Sequence, residues 1–272
     1  MVGALIYEKK DYDLNKEFAN LLIKYANENN ILLELIIVED YIFSTQNIVK
    51  YDFCIMRSRN YIYSEFFENF GVRCFNNSVV NRIANNKFLS LLFVKKLGIP
   101  ITESVYSNNV LLNYDVIKSL DGHGGKEVYK NQKPLVDKEY IYQEYYENLG
   151  DIRVYCIGKK IIKAIKRKNN NDFRHNYKLG ASIESYELDE KLFNYVTTIL
   201  EKIDSDYVGI DFLLEKDDYR FIELESVVGA RMLYSVTNID IAYEFINYIK
   251  LTIENEKEKK DGIIRERTKF SK

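Results

Sequence analysis

Two apolar runs in the last quarter of the chain, Val208 to Leu214 and Tyr219 to Leu224, flank Lys216-Asp217-Asp218 and are accompanied by carboxylates at 211, 223 and 225. Runs of that length on either side of a polar turn read as a β-hairpin. Closing it around the turn puts Asp211 opposite Glu223, and the period of two puts Glu225 on the same face as Glu223. Three negative charges then share one face. Like charges across a ladder repel, and a divalent cation held by oxygen ligands compensates them. The alternative is that this face is the wet side of an amphipathic hairpin.

Upstream, strands alternate with helical stretches. Gly3 to Tyr7, Ile31 to Val38, Phe53 to Met56 and Val72 to Phe75 read as strands. Asp13 to Asn29 reads as a helix, with Leu14, Phe18, Leu21, Leu22 and Tyr25 at helical spacing. That order predicts a small parallel α/β unit. A further helix, Lys87 to Leu97, stops at Gly98 with Pro100 just beyond. Short strands follow: Tyr114 to Leu120, a return from Glu127 to Lys130, then Tyr140 to Tyr145, Ile152 to Ile157 and Ile161 to Ile165. Leu188 to Ile203 reads as a helix. A last helix begins near Ile239 and is expected to fade into a solvated charged tail from Glu254.

Two cationic clusters complement the acidic face. Lys118 ends an apolar strand before Asp121-Gly122-His123-Gly124-Gly125, where small residues let backbone N–H groups approach phosphates. An ordinary hairpin turn is the plainer reading. Lys166-Arg167 and Asp172-Phe173-Arg174-His175-Asn176 supply further cations and an amide, or a solvated loop. Together with the carboxylates these segments make a set suited to Mg-ATP.

Composition narrows the class. With 272 residues, 46% of them hydrophobic, the chain can bury a sizeable core, and a formal charge of -2 offers no overall footprint for nucleic acid. No run is long and apolar enough for a membrane helix, and the first residues lack the basic-then-apolar order expected of a secretion signal. Cys54, Cys74 and Cys156 lack metal spacing and read as buried free thiols, and with His123 and His175 alone a zinc site is not expected. A cytoplasmic location is the default expectation.

In motif order the sequence resembles the ATP-grasp superfamily, and within it the RimK-like ligases. The resemblance runs from Met56 to Leu233 through Arg57-Ser58-Arg59, Phe75-Asn76-Asn77-Ser78, Asn86-Lys87, Leu97-Gly98-Ile99-Pro100, Ile117 to Gly125, Gln143-Glu144-Tyr145, Gly150-Asp151-Ile152-Arg153-Val154, Ala164 to Arg167, Asp172 to Asn176 and Gly209-Ile210-Asp211. It implies an ATP-grasp fold: a parallel α/β domain at 1–83, a linking helix and small lid at 84–145, a C-terminal mixed or antiparallel sheet domain at 146–255, and the charged tail at 256–272. It further implies a ligase forming carbon–nitrogen bonds through an acyl phosphate, joining a small-molecule or peptide carboxylate to an amine, with glutamate or another amino acid as one substrate. ATP and one or two Mg²⁺ ions, replaceable by Mn²⁺, are the implied cofactors. A homo-oligomer is a further expectation. From charge and hydropathy, neither nucleic acid nor a membrane is expected as a partner.

By the same resemblance, Lys87 and Lys118 contact phosphates and Gly122, Gly124 and Gly125 close over them. Glu144, Tyr145 and Asp151 line the adenine and ribose pocket. Arg174, His175 and Asn176 make further ATP contacts, with Lys118, Arg174 and Asn176 acting in catalysis. Asp211, Glu223 and Glu225 hold the metal. Arg57, Arg59 and Arg231 are candidates for binding a substrate carboxylate, since arginine pairs with that group bidentately. Surface salt bridges are the other reading for each.

The chain departs from the family pattern at Glu223-Leu224-Glu225, where Glu-x-Asn is usual, and at Ser226-Val227-Val228-Gly229, which lacks the usual proline. Only 17 residues separate Pro100 from Lys118, so the lid is compact. The different-class alternative is an ATP-binding module without turnover.

Overall fold

The computed structural model describes residues 1–46, 49–107, 113–122, 127–132, 134, 138–169, 172–175 and 180–270, with side chains described as far as 259. Gly3 to Tyr7 can be fully buried because every residue there is apolar or small, and the expected α/β unit forms around it. Strands β1 (Val2–Tyr7), β2 (Leu32–Ile37), β3 (Phe53–Met56) and β4 (Arg73–Phe75) make a parallel sheet of order β2-β1-β3-β4. Helices α1 (Lys9–Glu28) and α2 (Tyr61–Asn69) connect them. Alternation along β1 feeds two cores: Leu5 and Tyr7 join one apolar cluster, Ala4 and Ile6 another. Cys54 and Cys74 face each other across β3 and β4 as buried free thiols, and Cys156 is buried too.

Two short helices, α3 (Ser78–Ala84) and α4 (Lys87–Lys95), follow. Each starts at an asparagine, Asn77 or Asn86, whose side-chain oxygen accepts a backbone N–H of the first turn. Gly98, at φ +75°, turns the chain out of α4 as its position predicts. The next segment is stitched to a later strand: Phe221 N donates to Pro100 O and Thr102 N to Phe221 O.

Strands β5 (Ser104–Ser107), β6 (Val116–Ser119), β7 (Val128–Lys130) and β8 (Tyr140–Gln143) form a small antiparallel sheet of order β5-β8-β6-β7. Where it begins and ends, Gln143 Nε2 donates to Thr102 Oγ1 (2.8 Å) and Ser104 Oγ (2.6 Å). The larger antiparallel sheet contains β9 (Asp151–Ile157), β10 (Lys160–Lys168), β11 (Ser182–Tyr186), β12 (Tyr207–Leu214) and β13 (Tyr219–Glu225) in the order β11-β10-β9-β12-β13. Helix α5 (Glu190–Lys202) buries Leu192, Val196, Ile199 and Leu200 against it.

The chain ends with α6 (Arg231–Val236) and α7 (Ile241–Phe270). The expectation that the last helix fades at Glu254 is corrected: it continues through the charged segment to Phe270. Lys, Glu and Arg are good helix formers, which a reading based on apolar periodicity undervalues. Helix α7 packs against α1, and one apolar cluster runs from Leu5 and Leu22 to Phe245 and Ile249, joining the parallel sheet to the C-terminal part. No described helix is long and apolar enough to cross a membrane.

Candidate active site

Four strands of the larger sheet bring the expected carboxylates together. The hairpin closes with Leu214 opposite Tyr219, one residue off the expected register, and a β-bulge between Phe212 and Asp211 restores it, so that Asp211 lies opposite Glu223 and Gly209 opposite Glu225. One carboxylate oxygen from each of Asp211, Glu223 and Glu225 lies within 4.8 Å of the others. On its other side β12 pairs with β9, which sets Arg153 opposite Asp211, while β9 with β10 sets Asp151 opposite Arg167.

A buried ion ladder results. Arg153 grips Asp211 with two bonds, Nε to Oδ1 at 2.8 Å and Nη2 to Oδ2 at 2.7 Å, and Nη2 also donates to Glu225 Oε1 at 2.7 Å. Arg167 Nη2 donates to Asp211 Oδ2 at 2.8 Å, and its Nε to Asp151. The expectation named a divalent cation as the compensation for these carboxylates; the strands beside the hairpin supply compensation as well. Two guanidiniums already neutralise them, because β9 and β10 supply charges that the hairpin in isolation does not reveal.

Burial alone would raise the Asp211 carboxyl, but Arg153 and Arg167 hold it down at about 2. Asp151 goes the other way: burial lifts it to about 6 against the pull of Arg167. Glu225 is likewise raised by burial, opposed by Arg153.

Two cavities meet at this ladder. The first, of about 150 Å³, is lined by apolar Val116, Val128, Leu213 and Ile222 and by charged Lys87, Lys118, Arg153, Arg167, Asp211 and Glu223. Glu144, Tyr145, Asp151, Arg174, His175 and Gly122 also line it. Lys87, at the start of α4, donates to the Gly122 carbonyl and lies 3.3 Å from Glu223. Lys118, on β6, is half-buried; desolvation of its ammonium pushes its pKa to about 8, against Glu223 and with Lys87. Arg174 pairs with Asp172 at 2.6 Å, and His175 Nε2 lies 2.7 Å from Asn148 Oδ1. Gly124, Gly125 and Asn176 lie outside the described residues.

The second cavity, of about 580 Å³, is lined by polar side chains including Lys10, Asp11, Arg59, Lys138, Glu225 and Arg231. Arg153, Arg167 and Gly122 border both cavities. Of the three arginines expected at a substrate, Arg59 pairs with Asp11 at 2.6 Å on this wall, and Arg231 is exposed there. Arg57 is corrected: it is 2% exposed, borders neither cavity and donates to Val228 O at 3.0 Å among the rings of Tyr7, Phe18 and Tyr207. It ties β3 to the segment after β13.

Sequence reasoning assigned no role to Arg153 and read Arg167 only as one of a cluster of cations for phosphates. The available signal was the Asp151-Ile152-Arg153 alternation, two charges at period two inside an otherwise apolar strand.

Residues 84–249 match the family model of the RimK-like ATP-grasp domain. The chain is 26% identical over 270 residues to the glutamate–LysW ligase ArgX of Sulfurisphaera tokodaii, covering 88% of this chain and 96% of that protein. It is 26% identical over 210 residues to a probable alpha-L-glutamate ligase of Haemophilus influenzae, covering 69% and 70% of the two. Among solved structures, the ATP-grasp ligase PsnB with minimal precursor, Mg and ADP superposes with a TM-score of 0.67 at 15% identity, over 93% of this chain and 97% of that one.

Proposed function

We propose a reaction from one premise: the chain belongs to the RimK-like ATP-grasp family and is an ATP-grasp ligase. The reaction is ATP- and Mg²⁺-dependent joining of a carboxylate to an amine, with an amino acid such as glutamate as one substrate. The observation that carries this reading is the charged wall around the junction of the two cavities, which Arg153 and Arg167 border on both sides. Lys87, Lys118, Asp151, Asp211 and Glu223 add to it from the first cavity and Glu225 from the second, four cations against four carboxylates. A wall so balanced favours a triphosphate that arrives with its own counter-ion over a bare one.

The apolar side chains lining the first cavity suit adenine, with Glu144, Tyr145 and Asp151 available to the base and ribose. Lys87, Lys118 and the turn beginning at Gly122 take the phosphates, helped by Arg174 and His175. Gly124, Gly125 and Asn176 keep the roles the resemblance implies. Clustered carboxylate oxygens bordering a phosphate site fit a hard cation, and Asp211 and Glu223, which face this cavity, would hold it. Bound there, Mg²⁺ would neutralise charge on the terminal phosphates.

The second cavity receives the acid and the amine, with Arg59 and Arg231 available to a carboxylate. An oxygen of the acid attacks the γ-phosphorus, the bond to the β–γ bridging oxygen breaks, and ADP leaves. The amine nitrogen then attacks the acyl carbon, phosphate departs, and the nitrogen loses a proton. Positioning and charge neutralisation by the lysines and arginines supply the acceleration, and the small sheet over the cavity limits water. Relatives named as glutamate ligases support an amino-acid substrate. The three free thiols fit a reducing cytoplasm.

Calorimetric titration with ATP, with and without Mg²⁺, tests the reading. Binding is expected to depend on Mg²⁺, followed by ADP release when glutamate and candidate acceptors are supplied. A folded protein that binds no nucleotide would remove the proposal.

A further inference from the structure

Two loops at one end of the larger sheet meet along the first cavity. Tyr146 and Asn148 line it from the turn that leads into β9, and Phe173, Arg174 and His175 from the loop that follows β10. The turn is tight: Gly150 sits at φ +130°, and a Cβ on it would come 2.5 Å from the Arg167 carbonyl oxygen. Asn148 braces it, with Nδ2 donating to Tyr146 O at 2.9 Å and Oδ1 accepting from Gly150 N at 3.2 Å. Those two backbone partners fix which end of the amide is the oxygen.

That orientation decides the state of the histidine beside it. Asn148 Oδ1 lies 2.7 Å from His175 Nε2, and an amide oxygen only accepts, so Nε2 carries a hydrogen. On the other side of the ring Nδ1 accepts from the backbone N–H of Asn169 at 3.0 Å, so it carries none. One neutral tautomer fits, with both nitrogens in use. The imidazolium, with a hydrogen on each nitrogen, would set Nδ1–H against the Asn169 N–H. Burial also opposes the charged ring, as do Arg167 and Lys168 of β10, against the pull of Asp172 in its own loop. From the turn before β9 it meets the neutral amide of Asn148.

We propose that His175 is a positioning residue: its neutral Nε2–H tautomer clasps the loop after β10 to the turn before β9, holds the neighbouring Arg174 toward the nucleotide, and lets go when the ring is protonated. It acts through that loop, since neither ring nitrogen is left over for a ligand. The proposal rests on the reading of the first cavity as a nucleotide site. Its sign follows from Nδ1. The clasp is whole above the ordinary imidazole value of 6.5 and weakens as the pH falls below it.

The full chain has two histidines, so ¹⁵N-imidazole spectra show two rings, and the one lost in His175→Ala is His175. At about pH 7.5 and without nucleotide, that ring is expected in the Nε2–H form, with its Nε2 signal moved by Asn148→Ala. Calorimetric affinity for Mg-ADP at the same pH is expected to fall about threefold to tenfold in His175→Ala and in Asn148→Ala, and less in His175→Gln, which retains a donor. The gap between the unmodified protein and His175→Ala is expected to narrow as the pH is lowered to about 5, a comparison from which titration of the phosphates themselves cancels. A ring found as the Nδ1–H tautomer or protonated at about pH 7.5 would overturn the proposal, and so would a gap that does not change with pH. If the unmodified protein showed the Nε2–H tautomer and bound no Mg-ADP, the nucleotide reading would fail and take the role given to the clasp with it, while the ring spectra would show that the clasp itself had formed.

Discussion

Strands β1 and β9 are equally buried and built from opposite materials. From Gly3 to Tyr7 the first is apolar or small throughout, and it serves a core on either face. All seven residues of the second are buried as well, and its even-numbered residues Ile152, Val154 and Cys156 enter an apolar core in the same way. Its odd-numbered face changes character along its length: Tyr155 and Ile157 belong to a core, while Asp151 and Arg153 belong to the ion ladder. Burial therefore does not separate scaffold from site here. Pairing does, because a buried charge persists only where neighbouring strands meet it.

The contrast breaks most sharply at Arg167. Replacing it with Met strands Asp151 and half of the compensation of Asp211, and should cost about 3–5 kcal/mol of stability in urea melts. Asp151→Leu combined with Arg167→Met should recover much of that loss; a double variant no better than the single one would make packing, not charge, the cause. Leu5→Ala, the matching change in β1, should cost about 2–5 kcal/mol as a cavity. ATP affinity of the folded fraction should be untouched by it.

Lys118→Ala should do the reverse, weakening ATP by about tenfold to a hundredfold through one lost charge-assisted contact while leaving the melt nearly unchanged. The pH dependence of that contact has a definite sign. Enclosure lowers the pKa of Lys118 to about 8, so the ammonium is present below that pH and lost above it. Phosphate stabilises the charged form, so ATP affinity attributable to Lys118 should fall by up to about tenfold per unit above pH 8. A calorimetric pH series in which Lys118→Ala shows the same slope would remove Lys118 as the source. The smallest effect is expected at Lys130, whose Nζ lies 3.2 Å from the centre of the Tyr145 ring. Lys130→Met should weaken nucleotide binding by roughly 0.5–1 kcal/mol in the same titration.

The difference between the strands also explains what the sequence allowed one to read. The hairpin and its acidic face were legible from a local turn and a period of two, although the Asp211–Glu223 pairing holds only because a β-bulge offsets a loop one residue longer than expected, and the end of α4 followed from Gly98 and Pro100. The parallel strands were visible as apolar runs. Arg153 and Arg167 were in plain view as residue types, but their partners are 58 and 44 positions away at Asp211. Only strand order reveals such a pairing. Arg57 failed as a substrate candidate for the same reason, since Tyr207 and Val228, which enclose it, come from distant segments.

The stitched segment between α4 and the small sheet has a mechanical consequence. The chain enters that sheet beside Thr102 and leaves it beside Gln143, and the two are tied by the Gln143 side chain. Entry and exit are therefore tied at one place, fastened at Pro100 and Thr102 to Phe221 on β13. Two residues along the same strand stands Glu223. The attachment point of the small sheet and a proposed cation ligand thus sit on one strand, so whatever displaces the sheet at Phe221 bears on the position of Glu223 as well.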